Sequence, residues 1–361
     1  MRLWKPRLTT GSALVLLVIA AVVAAWWSGL LGFLGSPTSW QLGFSVLPQE
    51  PSDSYGWTLW VALLNTLVLG LVSIATATIL GAAMALLVIS GSPVWAGFAR
   101  AYIQLFRNMP LILQAMFWFS VVTHLPGPRQ ALSFAGIVAS NRGVSVPFLT
   151  PAGIIFTVCL MGLTLVIGRA GKRLSLKTPQ RWRLSLAAAS LLCSTGAYLW
   201  MDGRDFFTVP ELAGFNFKGG IHMPTELIAV LIALTMFGSA YIGEIIRGGF
   251  ATVPKGVIEA ARSLSLPGWV VELKVRAPLA MRAIILPLGS QYTVLLKATS
   301  IGLAVGFTDI FAVTLMSINQ SGYTVSLLCF MTACFVLLNQ ALVSAANTLN
   351  KLVEIPGHGT H

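Results

Sequence analysis

The chain has 361 residues, of which 56% are hydrophobic and only 9% charged, and its mean hydropathy is +0.82. A soluble domain carries about a quarter charged residues, so these proportions exclude a water-soluble globular protein and place the chain in lipid. The 23 Lys and Arg against 11 Asp and Glu leave a net charge of +12, but the basic residues fall between apolar runs, where they report membrane topology and not nucleic-acid binding.

A bilayer core about 30 Å thick requires about 20 apolar residues per helix. Eight stretches predict spans, at 11–33, 59–89, 100–123, 150–168, 184–201, 225–247, 281–306 and 323–350. The expected fold class is therefore all-α integral membrane. The first span follows Arg2, Lys5 and Arg7, and its apolar run from Ala13 to Leu34 exceeds the h-region of a secretion signal, about 7–15 residues, so it reads as a retained anchor. The second carries Ala62, Thr66, Gly70, Ser73, Ala77 and Gly81 on one helical face, where small side chains let a neighbouring backbone approach closely. On the third, Arg107 and Gln114 are seven residues apart and expected to share a face, with Arg107 near the inner end in a structural role. The basic block Arg169, Lys172, Arg173, Lys177, Arg181 and Arg183 separates the fourth and fifth. With the N-terminus inside, 17 Lys and Arg fall on the cytoplasmic side and 4 outside, which sets the orientation and puts both termini in the cytoplasm. Segments 34–58, 124–149 and 202–224 are expected to be turn-rich external loops. Cys159, Cys193, Cys329 and Cys334 lie in apolar spans without metal-ligand spacing and read as lipid-buried small residues. His358 and His361 close the chain without a metal role.

In the seventh span Ser290, Thr293, Lys297 and Ser300 form a polar stripe at three- and four-residue spacing, on a helix that Pro287 and Gly289 can kink. An ionisable group inside a membrane is costly unless it faces a cavity or a partner. Lys297 could neutralise a substrate carboxylate; a structural salt bridge or a side chain snorkelling to the interface are the alternatives. Gln114 joins these residues as a candidate for the substrate pathway. Glu244 and Arg247, at i and i+3, are expected to pair at the cytoplasmic boundary.

Between the sixth and seventh spans, residues 248–280 are too many for a turn. They hold an amphipathic helix from Val257 to Leu264, a break at Ser265-Leu266-Pro267-Gly268, and a second short helix. Such a hairpin suits a groove on another protein or, equally, the lipid surface.

Glu259-Ala260-Ala261 and Pro278 resemble the EAA loop of ABC importer permeases, with Ser265 in the place of the loop's Gly, Val275 in that of its Ile and Ala277 in that of its Leu. Pro267-Gly268 supplies a break three residues later. The surrounding residues resemble the polar-amino-acid permeases: Ala240 to Gly249 with Val253-Pro254-Lys255-Gly256 is similar to the lead-in to that loop, Leu105 to Gln114 to the second core helix, and Leu296 to Ser300 to the fourth. With Asn319-Gln320-Ser321-Gly322, Asn141-Arg142-Gly143 and Phe215-Asn216-Phe217, the likeness is to the first permease subunit of general L-amino-acid importers, from about residue 55 to the C-terminus.

The resemblance implies a type I ABC importer permease core of five helices, at 59–89, 100–123, 225–247, 281–306 and 323–350, to which this chain adds the anchor and a hairpin at about 150–201. The domains follow as 1–58 for tail, anchor and loop, 59–350 for the permease domain and 351–361 for a cytoplasmic tail. It implies amino-acid import across the bacterial inner membrane, with an ABC ATPase dimer, a second and homologous permease chain, a periplasmic amino-acid-binding protein and the lipid bilayer as partners, and no nucleic acid. Glu259, Ala260, Ala261, Ser265 and Gly268 become the residues that couple to the ATPase, Ala260 and Ala261 being small enough to let the helix approach its cleft. The chain itself would be no enzyme and bind no cofactor, ATP and Mg²⁺ belonging to the partner. Gly171-Lys172 is followed by Arg173, with Val166 where a P-loop needs Gly. A coupled secondary transporter is disfavoured by the absence of a repeat and of acidic relays, Glu226 and Glu244 lying near span ends.

Overall fold

The computed structural model describes residues 32–90, 92–149, 207–214 and 216–353. The expected anchor at 11–33 but for its last two residues, the spans at 150–168 and 184–201, the basic block around Arg173 and the tail after Val353 lie outside the described residues. The chain forms two compact units, Met1–Ser120 with Ala229–His361, and Val121–Ile228.

The helices are α1 (Tyr55–Ile89), α2 (Pro93–Asn108), α3 (Leu111–Thr123), α4 (Thr225–Ala251), α5 (Lys255–Ser263), α6 (Gly268–Val305), α7 (Ile310–Ser321) and α8 (Thr324–Val353). Among the described residues α1, α4, α6 and α8 are each long and apolar enough to cross a membrane, and α2 with α3 makes a fifth candidate. These stand where the five core spans are expected. The small face of α1 is its packing face. Ala62, Thr66, Ser73 and Ala77 are fully buried, Gly70 faces Leu296 of α6, and a Cβ on Gly81 would stand 2.7 Å from the Ser239 carbonyl of α4. α8 runs along α6, where a Cβ on Gly289 would come within 2.6 Å of Ala346.

The expected single helix over 100–123 is broken. α2 and α3 meet at 105°, because Pro110 has no N–H to offer the Phe106 carbonyl and holds Met109 extended at φ −87°, ψ 127°. Gln114 fills the gap: its Nε2 donates to Phe106 O and to Met109 O, both at 3.0 Å. Arg107 and Gln114 therefore stand on different helices and do not share a face.

At the other end of α1, Ser54 caps the helix by accepting from Trp57 N at 3.3 Å. Three turns further the buried Asn65 makes three hydrogen bonds. Its Nδ2 donates to Phe44 O and Thr308 O, each at 2.9 Å, and its Oδ1 accepts from Val46 N at 3.0 Å. Thr66 Oγ1 accepts from Ile310 N at 2.9 Å, and Asp309 caps α7 by accepting from Ala312 N at 2.9 Å. Around this polar knot Phe33, Leu59, Ile310, Val313 and Leu327 form an apolar cluster.

Two of the three segments expected to be turn-rich loops, 124–149 and 202–224, contain short strands, β1 (Leu132–Phe134), β2 (Ile137–Ser140), β3 (Gly143–Val146), β4 (Phe148–Leu149), β5 (Phe207–Thr208), β6 (Glu211–Ala213), β7 (Asn216–Lys218) and β8 (Ile221–Met223). They lie in the second unit. One antiparallel sheet has the order β1-β2-β3-β8, and β4-β5 and β6-β7 pair separately. Ala135 and Gly136, at φ +49° and +81°, make the two-residue turn between β1 and β2, whose positive φ angles match the twist of a hairpin. Strands this short have too little alternation to be legible beforehand.

Candidate functional site

α5 begins after Pro254 and ends at Ser263. Its inner face carries Ala261, only 6% exposed, and Ile258, which packs on Val253, Ala280 and Ile284. Glu259 and Ala260 are exposed. The two alanines therefore divide: Ala260 faces outward as expected, and Ala261 is turned inward, where its small size lets α5 sit against the membrane helices. Leu264 N donates to Ala260 O and Ser265 N to Arg262 O, at 3.3 and 2.9 Å, and Ser265 takes φ +56°. That left-handed angle is the conformation for which glycine is the default, so Ser265 makes the tight turn of the loop without the glycine. Pro267 and Gly268 then start α6. No atom lies within 4 Å of where a Gly268 Cβ would stand.

α6 passes through a π turn at Val271–Arg276, against which α5 rests. Arg276 locks this turn by pairing with Glu272 at 3.2 Å and donating to Phe250 O at 3.4 Å. Leu264, Trp269 and Leu273 remain 74%, 64% and 65% exposed, so this segment presents large apolar side chains on its surface.

Further along α6, Lys297 is exposed, and among the described residues no acidic group lies within salt-bridge distance of it. Thr293 Oγ1 donates to Ser290 O at 2.7 Å and Ser300 Oγ to Lys297 O at 2.9 Å. Their hydroxyl protons are thus held by the helix backbone, and their lone pairs stay open as acceptors. Ser290, Thr293, Lys297 and Ser300 keep the spacing of one stripe; Gln114 belongs instead to the bend between α2 and α3. Pro287 sits within α6 without ending the helix. The expected Glu244–Arg247 pair is present and two-pronged, at 2.7 and 2.9 Å. The sequence singles out neither Asn65, which ties α1 to the turn before α7, nor Asp309, which caps α7, since nothing local distinguishes a tertiary hydrogen bond. Among the described residues no group of His, Cys, Asp or Glu is set to hold a metal.

Residues 77–354 match the family model for the binding-protein-dependent transport system inner membrane component. The chain belongs to this family. The match takes in α2 to α8 and the C-terminal part of α1, and with them the whole segment around α5. This permease is 36% identical over 322 residues, 86% of its length and 81% of the relative's, to a protein of Escherichia coli (strain K12) that bears the name of an amino-acid ABC transporter permease protein, YhdX. It is 32% identical over 308 residues, 82% of its length and 77% of the relative's, to the general L-amino acid transport system permease protein AapQ of Rhizobium johnstonii. A crystal structure of an amino acid ABC transporter with histidines superposes at a TM-score of 0.50 and 18% identity, covering 82% of this chain and 95% of that one, which is a likeness of fold. The permease is a transport subunit and not an enzyme; ATP hydrolysis belongs to a separate ATPase.

Proposed function

We propose that this permease carries amino acids inward across the inner membrane, receiving them from a binding protein and driven by an ATPase dimer docked on α5, with a second, homologous permease chain completing the pore. The carrying observation is the coupling segment itself: a nine-residue helix with Glu259 and Ala260 outward, Ala261 seated inward, and the glycine turn of the family reproduced by Ser265. The names of relatives at 36% and 32% identity support amino acids as the cargo.

The path from ATPase to substrate runs along one element. α5 rests on the π turn at the start of α6, and Lys297 lies 29 residues beyond Gly268 on that same helix, about 40 Å at 1.5 Å per residue. A displacement of α5 is thereby delivered to the stripe of Ser290, Thr293, Lys297 and Ser300. Lys297, exposed and without an acidic partner among the described residues, offers the ammonium that an amino acid's carboxylate needs in a low-dielectric passage. The topology set by the charge bias puts α5 and both termini in the cytoplasm.

The test is uptake of labelled amino acids by vesicles holding this chain with its second permease and ATPase, supplied with loaded binding protein. Uptake that needs ATP and falls at least tenfold in Lys297→Met, with the complex still assembled and binding ATP, is the expected result. Full transport by that variant removes Lys297 from the pathway, and no uptake of any amino acid by the intact complex overturns the cargo. Reporters near Arg173 and Lys351 should read cytoplasmic, and those near Ser140 and Asn216 external.

A further inference from the structure

At the α5 end of α1, α2 and α4 lies a cavity of about 610 Å³, within the range of ligand sites. Its lining carries four guanidinium groups, Arg100, Arg107, Arg247 and Arg276, against one carboxylate, Glu244. The single carboxylate is taken. Arg247 grips Glu244 with two prongs at 2.7 and 2.9 Å, and Arg107 reaches the same Oε1 only at 3.9 Å, its guanidinium lying 5.2 Å over the Tyr241 ring. Arg276 is held by Glu272 and the Phe250 carbonyl. Arg100 has no ion pair or hydrogen bond among the described residues. The cavity thus keeps one free guanidinium and a second with most of its donors open, two turns apart on the same helix.

A guanidinium fork is matched by a planar or tetrahedral oxyanion, which takes two parallel N–H···O bonds. The lining also includes the apolar side chains of Val88, Ile89, Ile103 and Phe250, so the site suits a ligand with an anionic head and a hydrocarbon flank. We propose that this cavity binds a phosphate group through Arg100 and Arg107, its source being an anionic phospholipid headgroup or free inorganic phosphate. The lipid source rests on the topology proposed above, which puts this end of the helices at the cytoplasmic leaflet, where anionic lipid attracts basic groups. The site is separate from the polar stripe of α6. It ties the state of the surrounding bilayer, or of the cytoplasm, to the α2–α4 contact immediately beside the coupling segment.

The test uses the assembled transporter. Its thermal midpoint is measured in nanodiscs of phosphatidylcholine with and without phosphatidylglycerol, and separately in detergent against inorganic phosphate, with native mass spectrometry of the retained lipid as a second readout. Phosphatidylglycerol should raise the midpoint and remain bound if the headgroup is the source; inorganic phosphate alone should raise it if the free ion is. In either arm Arg100→Gln should weaken the effect by about tenfold in ligand concentration, the loss expected of one charge-assisted two-pronged contact. Arg100→Lys, a point charge without the fork, should restore only part of it. Lys218→Gln, on the β7 hairpin, should leave it intact. Arg100 is exposed and makes no described contact, so its replacement does not endanger the fold. No response to either ligand, or a response in Arg100→Gln equal to that of the parent, overturns the proposal.

Discussion

Asn65 Nδ2 donates to Thr308 O at 2.9 Å, joining α1 to the turn before α7 across 243 residues of sequence. The same amide holds Phe44 O and Val46 N, so one buried side chain ties three segments together. Asn65→Ala would leave the Thr308 carbonyl and the Val46 N–H without this partner, each worth about 1–3 kcal/mol, while Phe44 O keeps the Thr308 hydroxyl at 3.1 Å. Such a loss exceeds what a marginally stable fold carries easily. The variant is expected to insert but to unfold at a clearly lower temperature in detergent; a midpoint within one degree of the parent would show that water replaces the amide.

Ser265 holds φ +56° without being glycine, a conformation that costs an L-residue about 1 kcal/mol or more. Ser265→Gly should therefore stabilise the coupling segment by up to about 1 kcal/mol, less the entropy glycine adds to the unfolded chain. Ser265→Val, branched at Cβ, should distort the turn. Limited proteolysis of the segment between α5 and α6 distinguishes them: slower cleavage in the first, faster in the second.

Glu259 and Ala261 separate coupling from folding. Glu259 is exposed, so Glu259→Lys should alter stability by no more than about 0.5 kcal/mol while abolishing hydrolysis stimulated by loaded binding protein. Ala261 is buried, and Ala261→Asp puts an unpaired charge into that buried position, at several kcal/mol. Copurification with the ATPase and the thermal midpoint should fall together in the second variant, and only stimulation in the first. If Glu259→Lys keeps full stimulation, α5 does not couple through this face.

Burial pushes the Asp309 carboxyl up to about 7, and its Oδ2 has no hydrogen-bond partner. The folded-state value lies above the unfolded one, about 3.9. Its contribution to stability is accordingly complete below the unfolded value and is lost as pH rises through about 7. The thermal midpoint should decline as the pH rises from about 5 to about 8. Asp309→Asn keeps an acceptor for Ala312 N and removes the charge, so it should flatten that dependence. A variant as pH-sensitive as the parent would assign the titration elsewhere.

The sequence by itself determined the membrane class, the positions of the long apolar helices, the small packing face of α1 and the short amphipathic helix α5, because apolar length and helical period are local properties that lipid and packing read directly. It also carried the bend at Pro110, in a missing N–H, although a run of apolar residues on both sides made the segment look continuous. Only the tertiary structure decided that Gln114 serves that bend, that Ala261 turns inward while Ala260 turns out, and that Ser265 accepts a left-handed angle. Each of these depends on how the chain closes around the residue, through the Phe106 and Met109 carbonyls for Gln114 and the packing beneath α5 for Ala261, and a helical period names a face without naming its neighbour. The same holds for Asn65 with Thr308 and for the arginines beside Glu244: their charge and polarity are visible in the sequence, but whether a donor is satisfied or left open is settled only when distant helices meet.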